Sequence, residues 1–131
     1  MDFQFQGDIT IDLTKGGDAT MEIVVDDVAA AVGFYSRALG GVLKGNGNIL
    51  RCVVAFGGLV LVLIDRKAYL GSGKKHEEGR LKLIQAAVNN VENVETVAVG
   101  RGARRVLVDL PDGRVAAIRD PFGVVWQLYE E

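Results

Sequence analysis

Few side chains in this chain could carry out covalent chemistry. There is one histidine, His76, and one cysteine, Cys52. A nucleophilic mechanism needs a hydroxyl or thiol, a base to activate it and a third group to orient that base, and no such set can be assembled here. Cys52 sits inside an apolar strand-like run, where a free thiol acts as a small hydrophobe. His76 falls in Lys74-Lys75-His76 followed at once by Glu77-Glu78, which reads as a solvated loop, and one imidazole without neighbouring ligands makes no metal site. The acid pair Asp26-Asp27 directly precedes a helical pattern, and its carboxylates serve best as acceptors for the first-turn amides. Gly45-Asn46-Gly47 is too short to cradle a phosphate and does not run into a helix N-terminus. These residues predict no catalytic group, no metal ligands and no cofactor.

The pattern around them is alternating. Ala19 to Val25 is a strand rich in β-branched residues; Asp26-Asp27 then cap a helix with Val28, Val32, Tyr35 and Leu39 at helical spacing, and Gly40-Gly41 end it. Strands are expected at 42–44, 50–56 and 59–64, separated by tight turns at Gly45–Asn48 and Gly57-Gly58. Residues 65–79 are polar, glycine-containing and aperiodic, and are expected to form a mobile loop. The pattern then restarts: a strand at 81–88, a short helix capped by Asn89-Asn90 and closed by Gly100 and Gly102, and strands at 105–109, 114–119 and 124–129. Asp120-Pro121-Phe122-Gly123 forms a turn.

A shift of 63 residues lays MEIVVDDV (21–28) over IQAAVNNV (84–91), so the chain is a duplicated βαβββ unit. The expected fold class is α+β. Its modules are 19–64 and 80–130 within a domain 19–131, preceded by an N-terminal extension, 1–18. In that extension Phe3, Phe5, Ile9, Ile11 and Leu13 alternate with polar residues, the mark of a strand with one buried face. Such a strand would cover a sheet edge or bury its apolar face in a homodimer.

At 131 residues, with 49% hydrophobic and 24% charged residues and a net charge of −2, the composition is that of a soluble globule. Scattered basic residues argue against nucleic-acid binding. The longest apolar run, 53–64, falls short of the roughly 20 residues that span a bilayer. Without a secretory pattern at Met1–Gln6 or a cysteine framework, a cytoplasmic location is expected.

Two segments carry a family resemblance. DDVAAAVGFYSRALGG (26–41) and RDPFGVVWQLYE (119–130) resemble the glyoxalase/bleomycin-resistance/extradiol-dioxygenase (vicinal oxygen chelate) superfamily over about residues 19–130. The resemblance implies two modules forming a curved sheet around a cleft, with metal ligands on the first and last strand of each module. Those positions fall here on Thr20, Leu83, Val62 (or Leu61) and Gln127. Only Gln127 could ligate, and weakly, whereas a catalytic divalent ion needs about three converging protein ligands. The expectation is therefore a metal-free, cofactor-free protein that binds a small, partly aromatic, antibiotic-like molecule, similar to the drug-sequestering bleomycin-resistance branch. A glyoxalase- or dioxygenase-like enzyme with unconventional ligands is the alternative, and a ligand-independent structural module a third.

Strand parity then selects the ligand-facing residues. Thr20, Glu22 and Val24 would face the cleft while Met21, Ile23 and Val25 pack on helices. Leu83 and Gln85, then Val125, Gln127 and Tyr129, would face it from the second module, and Val60, Val62 and Ile64 would complete an apolar wall. The expected ligand-binding set is Thr20, Glu22, Val62, Leu83, Gln85, Gln127 and Tyr129. Tyr129 is available for stacking, Trp126 lies in the core, and Glu22 favours cationic ligands. The registers of Arg51 and Arg119 are not fixed by the sequence.

Overall fold

The computed structural model describes residues 9–14, 18–71, 81–106 and 115–131. Its elements are β1 (Ile9–Asp12), β2 (Ala19–Val25), α1 (Val28–Leu39), β3 (Val42–Asn48), β4 (Arg51–Phe56), β5 (Leu59–Asp65), α2 (Arg66–Gly71), β6 (Lys82–Val88), α3 (Val91–Gly100), β7 (Arg104–Arg105), β8 (Val115–Arg119) and β9 (Val124–Glu130). They fall into two compact units. The first is discontinuous, Met1–Gly16 with Gly79–Glu131; the second is the intervening Gly17–Glu78.

The second unit is one βαβββ module, a four-stranded sheet in the order β2-β5-β4-β3. β2 runs parallel to β5, and β5 pairs antiparallel with β4. Met21, Ile23 and Val25 are buried while Thr20 and Glu22 are exposed, as the period-two pattern requires. Of the acid pair, only Asp27 caps α1, accepting from the Ala30 amide at 3.1 Å. Asp26 instead pairs with Arg66 at 2.6 Å. α1 buries Val28, Ala31, Phe34, Tyr35 and Ala38. It ends because Gly40 takes the left-handed conformation (φ 77°) and the Gly41 N–H returns to the Tyr35 carbonyl at 2.8 Å. Gly41 must also lack a side chain, since a Cβ there would stand 2.5 Å from Val54 Cγ1.

Two expectations fail in this unit. β3 continues through Gly45–Asn48 with a register shift between Lys44 and Asn48, so the glycines form an irregularity within the strand rather than a turn. The turn lies at Ile49-Leu50, where Asn48 Oδ1 accepts from the Leu50 and Arg51 amides at 2.8 and 2.9 Å. Residues 66–71, expected within a loop, form α2, because Asp65 Oδ2 caps its first turn through the Ala68 amide and Tyr69 is buried. The rest of the expected loop, 72–79, lies outside the described residues.

The first unit repeats the module as β6-α3-β7-β8-β9 and adds β1, giving the order β1-β6-β9-β8-β7. β6 begins and ends 63 residues after β2, and Asn90 caps α3 through the Asn93 amide at 3.1 Å. Asn90 does so at positive φ (64°), which asparagine tolerates better than most residues. Glu130, at the end of β9, adds acceptors for the Asn90 and Val91 amides, where a carboxylate complements the helix N-terminus. The strand expected at 105–109 is present as Arg104–Arg105, and residues 107–114 lie outside the described set.

β1 is paired within its own chain. It runs parallel to β6, Ile9 opposite Lys82 through Asp12 opposite Gln85, and the Leu13 N–H donates to the Gln85 carbonyl at 2.7 Å. It therefore covers a sheet edge of its own chain. Ile11 is in register with Ile84 and shares its face. Phe3 and Phe5 lie outside the described residues. Deleting residues 1–17 should remove about 2 kcal/mol of burial and edge pairing and lower Tm by roughly 6–10 °C. An unchanged melting curve by differential scanning calorimetry would count against a stabilising β1.

Candidate functional site

On the first unit, parity gives the sheet two unlike faces. Ile84, Ile118, Trp126 and Leu128 are buried on one, where α3 contributes Val91 and Ala98. Trp126 is thus a core residue, 2% exposed, and its indole N–H donates to Asp120 Oδ2 at 3.0 Å. The other face carries Leu83, Gln85, Val125, Gln127 and Tyr129, aligned by β6–β9 register: Leu83 opposite Val125, Gln85 opposite Gln127, Ala87 opposite Tyr129.

Four of the expected ligand-binding residues, Leu83, Gln85, Gln127 and Tyr129, lie on this face. Gln85 Nε2 donates to Gln127 Oε1 at 3.0 Å and to the Tyr129 hydroxyl at 3.4 Å, and that hydroxyl lies 3.4 Å from Gln127 Oε1. Strand pairing brings the two amides face to face, and the two-residue pleat puts Tyr129 beside them. Leu83 and Val125 are buried alongside, and Gln127 is 8% exposed. The cluster leaves Gln85 Oε1 and Gln127 Nε2 without hydrogen-bond partners among the described residues. It thus offers one carbonyl acceptor and one amide donor side by side on an apolar floor, with an aromatic ring at the margin. That is a hydrogen-bonding platform for a planar polar group.

The remaining three expected residues lie in the second unit. Thr20 and Glu22 of β2 stand in register with Val60 and Val62 of β5, which are aligned in turn with Ala55 and Val53 of β4. The face is apolar at its centre, with Val62 7% exposed, and the Glu22 carboxylate stands exposed beside it. Among the described residues Glu22 has no hydrogen-bond or ion-pair partner. Pairing also fixes what the sequence could not: Arg51 is opposite Ile64 on this same face, and Arg119 is opposite Val125 on the Gln127 face. No sequence signal identifies either as facing its site, because strand register is a tertiary property.

The positions that the resemblance assigns to metal ligands can be tested on their donors. Thr20, Val62 and Leu83 offer one hydroxyl and two hydrocarbon side chains, and the Gln127 carbonyl oxygen is engaged by Gln85 and Tyr129. Among the described residues no three His, Cys, Asp or Glu side chains gather where they could hold an ion. This donor set does not fit a catalytic divalent metal. His76 lies outside the described residues.

Comparison with known proteins agrees with this architecture. A family model described as the Glyoxalase/Bleomycin resistance protein/Dioxygenase superfamily matches residues 18–128. Among solved structures, an Arabidopsis thaliana gene product is 26% identical with a TM-score of 0.69, over 86% of this chain and 96% of that one. A glyoxalase/bleomycin resistance protein/dioxygenase family enzyme from Burkholderia phytofirmans PsJN is 18% identical with a TM-score of 0.68, over 87% and 98%. TioX from Micromonospora sp. ML1 is 23% identical with a TM-score of 0.61, over 86% and 97%. No curated protein matches the chain by sequence. No helix among the described residues is long and apolar enough to cross a membrane.

Proposed function

Since the chain belongs to the glyoxalase/bleomycin resistance protein/dioxygenase superfamily, we propose that it uses that scaffold to bind a small, partly aromatic molecule without a metal, in the manner of a sequestering protein. The observation that carries this reading is the Gln85–Gln127–Tyr129 cluster on an apolar sheet face. It supplies hydrogen bonds for orientation and a ring for stacking. Leu83 and Val125 form the floor of the platform. Thr20, Glu22 and Val62 are proposed as ligand-facing by the same parity, with Glu22 favouring a cationic or hydrogen-bond-donating group. Homodimerisation belongs to the same proposal and is supported by the outer edge of β1, which pairs with no strand among the described residues.

The test is a calorimetric and fluorescence titration against neutral, anionic and cationic aromatic compounds. At least one class should bind, with an affinity indifferent to EDTA. Gln127→Leu removes hydrogen bonds worth about 1.5 kcal/mol and should weaken binding roughly tenfold. Glu22→Gln should weaken only the cationic members. Binding that requires added metal, or that Gln127→Leu leaves unaltered, would overturn the reading.

A further inference from the structure

A second feature of the first unit is chemically unlike the glutamine platform. Arg104 of β7 and Arg119 of β8 are direct register partners in an antiparallel pair, so their side chains leave the same face of the sheet. Residues paired in this way have Cβ atoms about 4.5–5.5 Å apart, and like charges placed so are destabilising. Both arginines are exposed. Neither guanidinium is bonded to a carboxylate among the described residues, in contrast to the adjacent Arg105, which pairs with Glu95 at 3.3 Å. The two arginines line an open cavity of about 440 Å³ together with Gly102, Asp120, Pro121 and Gly123.

Among the described residues of the lining, none forms an ion pair with either arginine. Among the described residues Asp120 is the one acid of the cavity, and its Oδ1 accepts from the Phe122 and Val124 amides and its Oδ2 from Trp126 Nε1. It is 4% exposed. Its oxygens are fixed on the hairpin's own donors, so it offsets one of the two positive charges without bonding to either fork. The carbonyls of Ala98 and Val99 at the end of α3 are taken by the amides of Arg101, Gly102 and Ala103, so that helix terminus presents little unsatisfied negative charge to the cavity. Gly102 and Gly123 bring bare backbone to the wall, which leaves the space open to a guest. What remains is a recess with two always-charged forks and, among the described residues, no mobile counter-charge.

We propose that Arg104 and Arg119 form an oxyanion-binding site that takes a phosphate or carboxylate group carried by a small molecule. A guest oxyanion between the two forks replaces their repulsion with charge-assisted, bidentate hydrogen bonds, the geometry for which guanidinium is best suited. The site is separate in chemistry from the Gln85–Gln127–Tyr129 platform, and the inference does not rest on the function proposed above.

The experiment titrates the intact protein with inorganic phosphate and with malonate at constant ionic strength set by sodium chloride, read by calorimetry and by melting temperature. One arm reports a phosphate preference and the other a carboxylate preference. At least one anion should bind saturably and raise Tm above the chloride control. Arg104→Gln and Arg119→Gln should each weaken it tenfold or more, and the double variant should abolish it. Either single variant should also melt higher than the parent in low salt without anion, because the repulsion is relieved, and this gain should disappear in high salt. If neither anion outperforms chloride, or if the double variant titrates as the parent does, the site does not exist. Aromatic-ligand binding through Gln127 would be unaffected by that failure.

Discussion

Asp120→Ala is expected to cost roughly 3–5 kcal/mol, a large share of the 5–15 kcal/mol that holds a typical domain together. The carboxylate is 4% exposed and serves three donors, the amides of Phe122 and Val124 and the indole of Trp126. Truncation removes the acceptor of all three, and an unsatisfied buried donor costs about 1–3 kcal/mol. Asp120→Asn separates charge from geometry. Its carbonyl can still accept from the two amides, but its NH2 then faces the Trp126 N–H, donor against donor, so an intermediate loss is expected. Urea unfolding followed by tryptophan fluorescence would measure both variants. A cost below about 1 kcal/mol for the alanine variant would mean that the hairpin finds other acceptors. Because this hairpin leads into β9, the same variant should blunt the Gln127 platform before it unfolds the chain.

The second large effect belongs to the other unit. Tyr35 is fully buried and meets Phe34 and Phe56 edge-to-face, with centroids 5.5 and 6.1 Å away at 84° and 88°. Its carbonyl also receives the amide of Gly41 where α1 ends. Tyr35→Ala should cost about 3–5 kcal/mol through the cavity and the lost ring contacts. Tyr35→Leu, which refills part of the space, should recover about half of that. Equal losses for the two variants in chemical denaturation would show that the empty volume is not the main source of the cost.

The legible part of the fold is its repeated part. Alternation in β2 separates Met21, Ile23 and Val25 from Thr20 and Glu22 because one face must be dry, and the 63-residue shift carries that pattern to β6. Cap chemistry locates both helices, although only the second residue of each Asp-Asp or Asn-Asn pair does the capping. Short elements are less legible. α2 consists of six residues next to a polar stretch, and its signal, Asp65 ahead of Ala68-Tyr69, is weaker than the glycines and lysines that follow. Gly45 and Gly47 suggest a turn because their positive φ suits one, yet the same freedom accommodates an irregular strand. Parity places Gln85, Gln127 and Tyr129 on one face of the sheet, where their side chains share hydrogen bonds. Arg104 and Arg119 cannot be seen as a pair in the sequence, since β7 and β8 are joined by residues 106–114 and their alignment depends on register.

The placement of β1 also orders events in time. The strand at residues 9–12 pairs with residues 82–85, and the whole second unit, Gly17–Glu78, lies between them in the chain. On a ribosome adding roughly 5–20 residues per second, the inserted unit is complete while the unit that flanks it is still missing β6, α3 and β9. β1 therefore waits several seconds as an extended, unpaired segment with nothing of its own unit to join. Its docking closes a long loop and contributes to the slow, late phase of folding. A nascent chain stalled before β6 should show a protease-resistant second unit and a cleavable N-terminal segment, and resistance of that segment should emerge only once β6 and β9 are out.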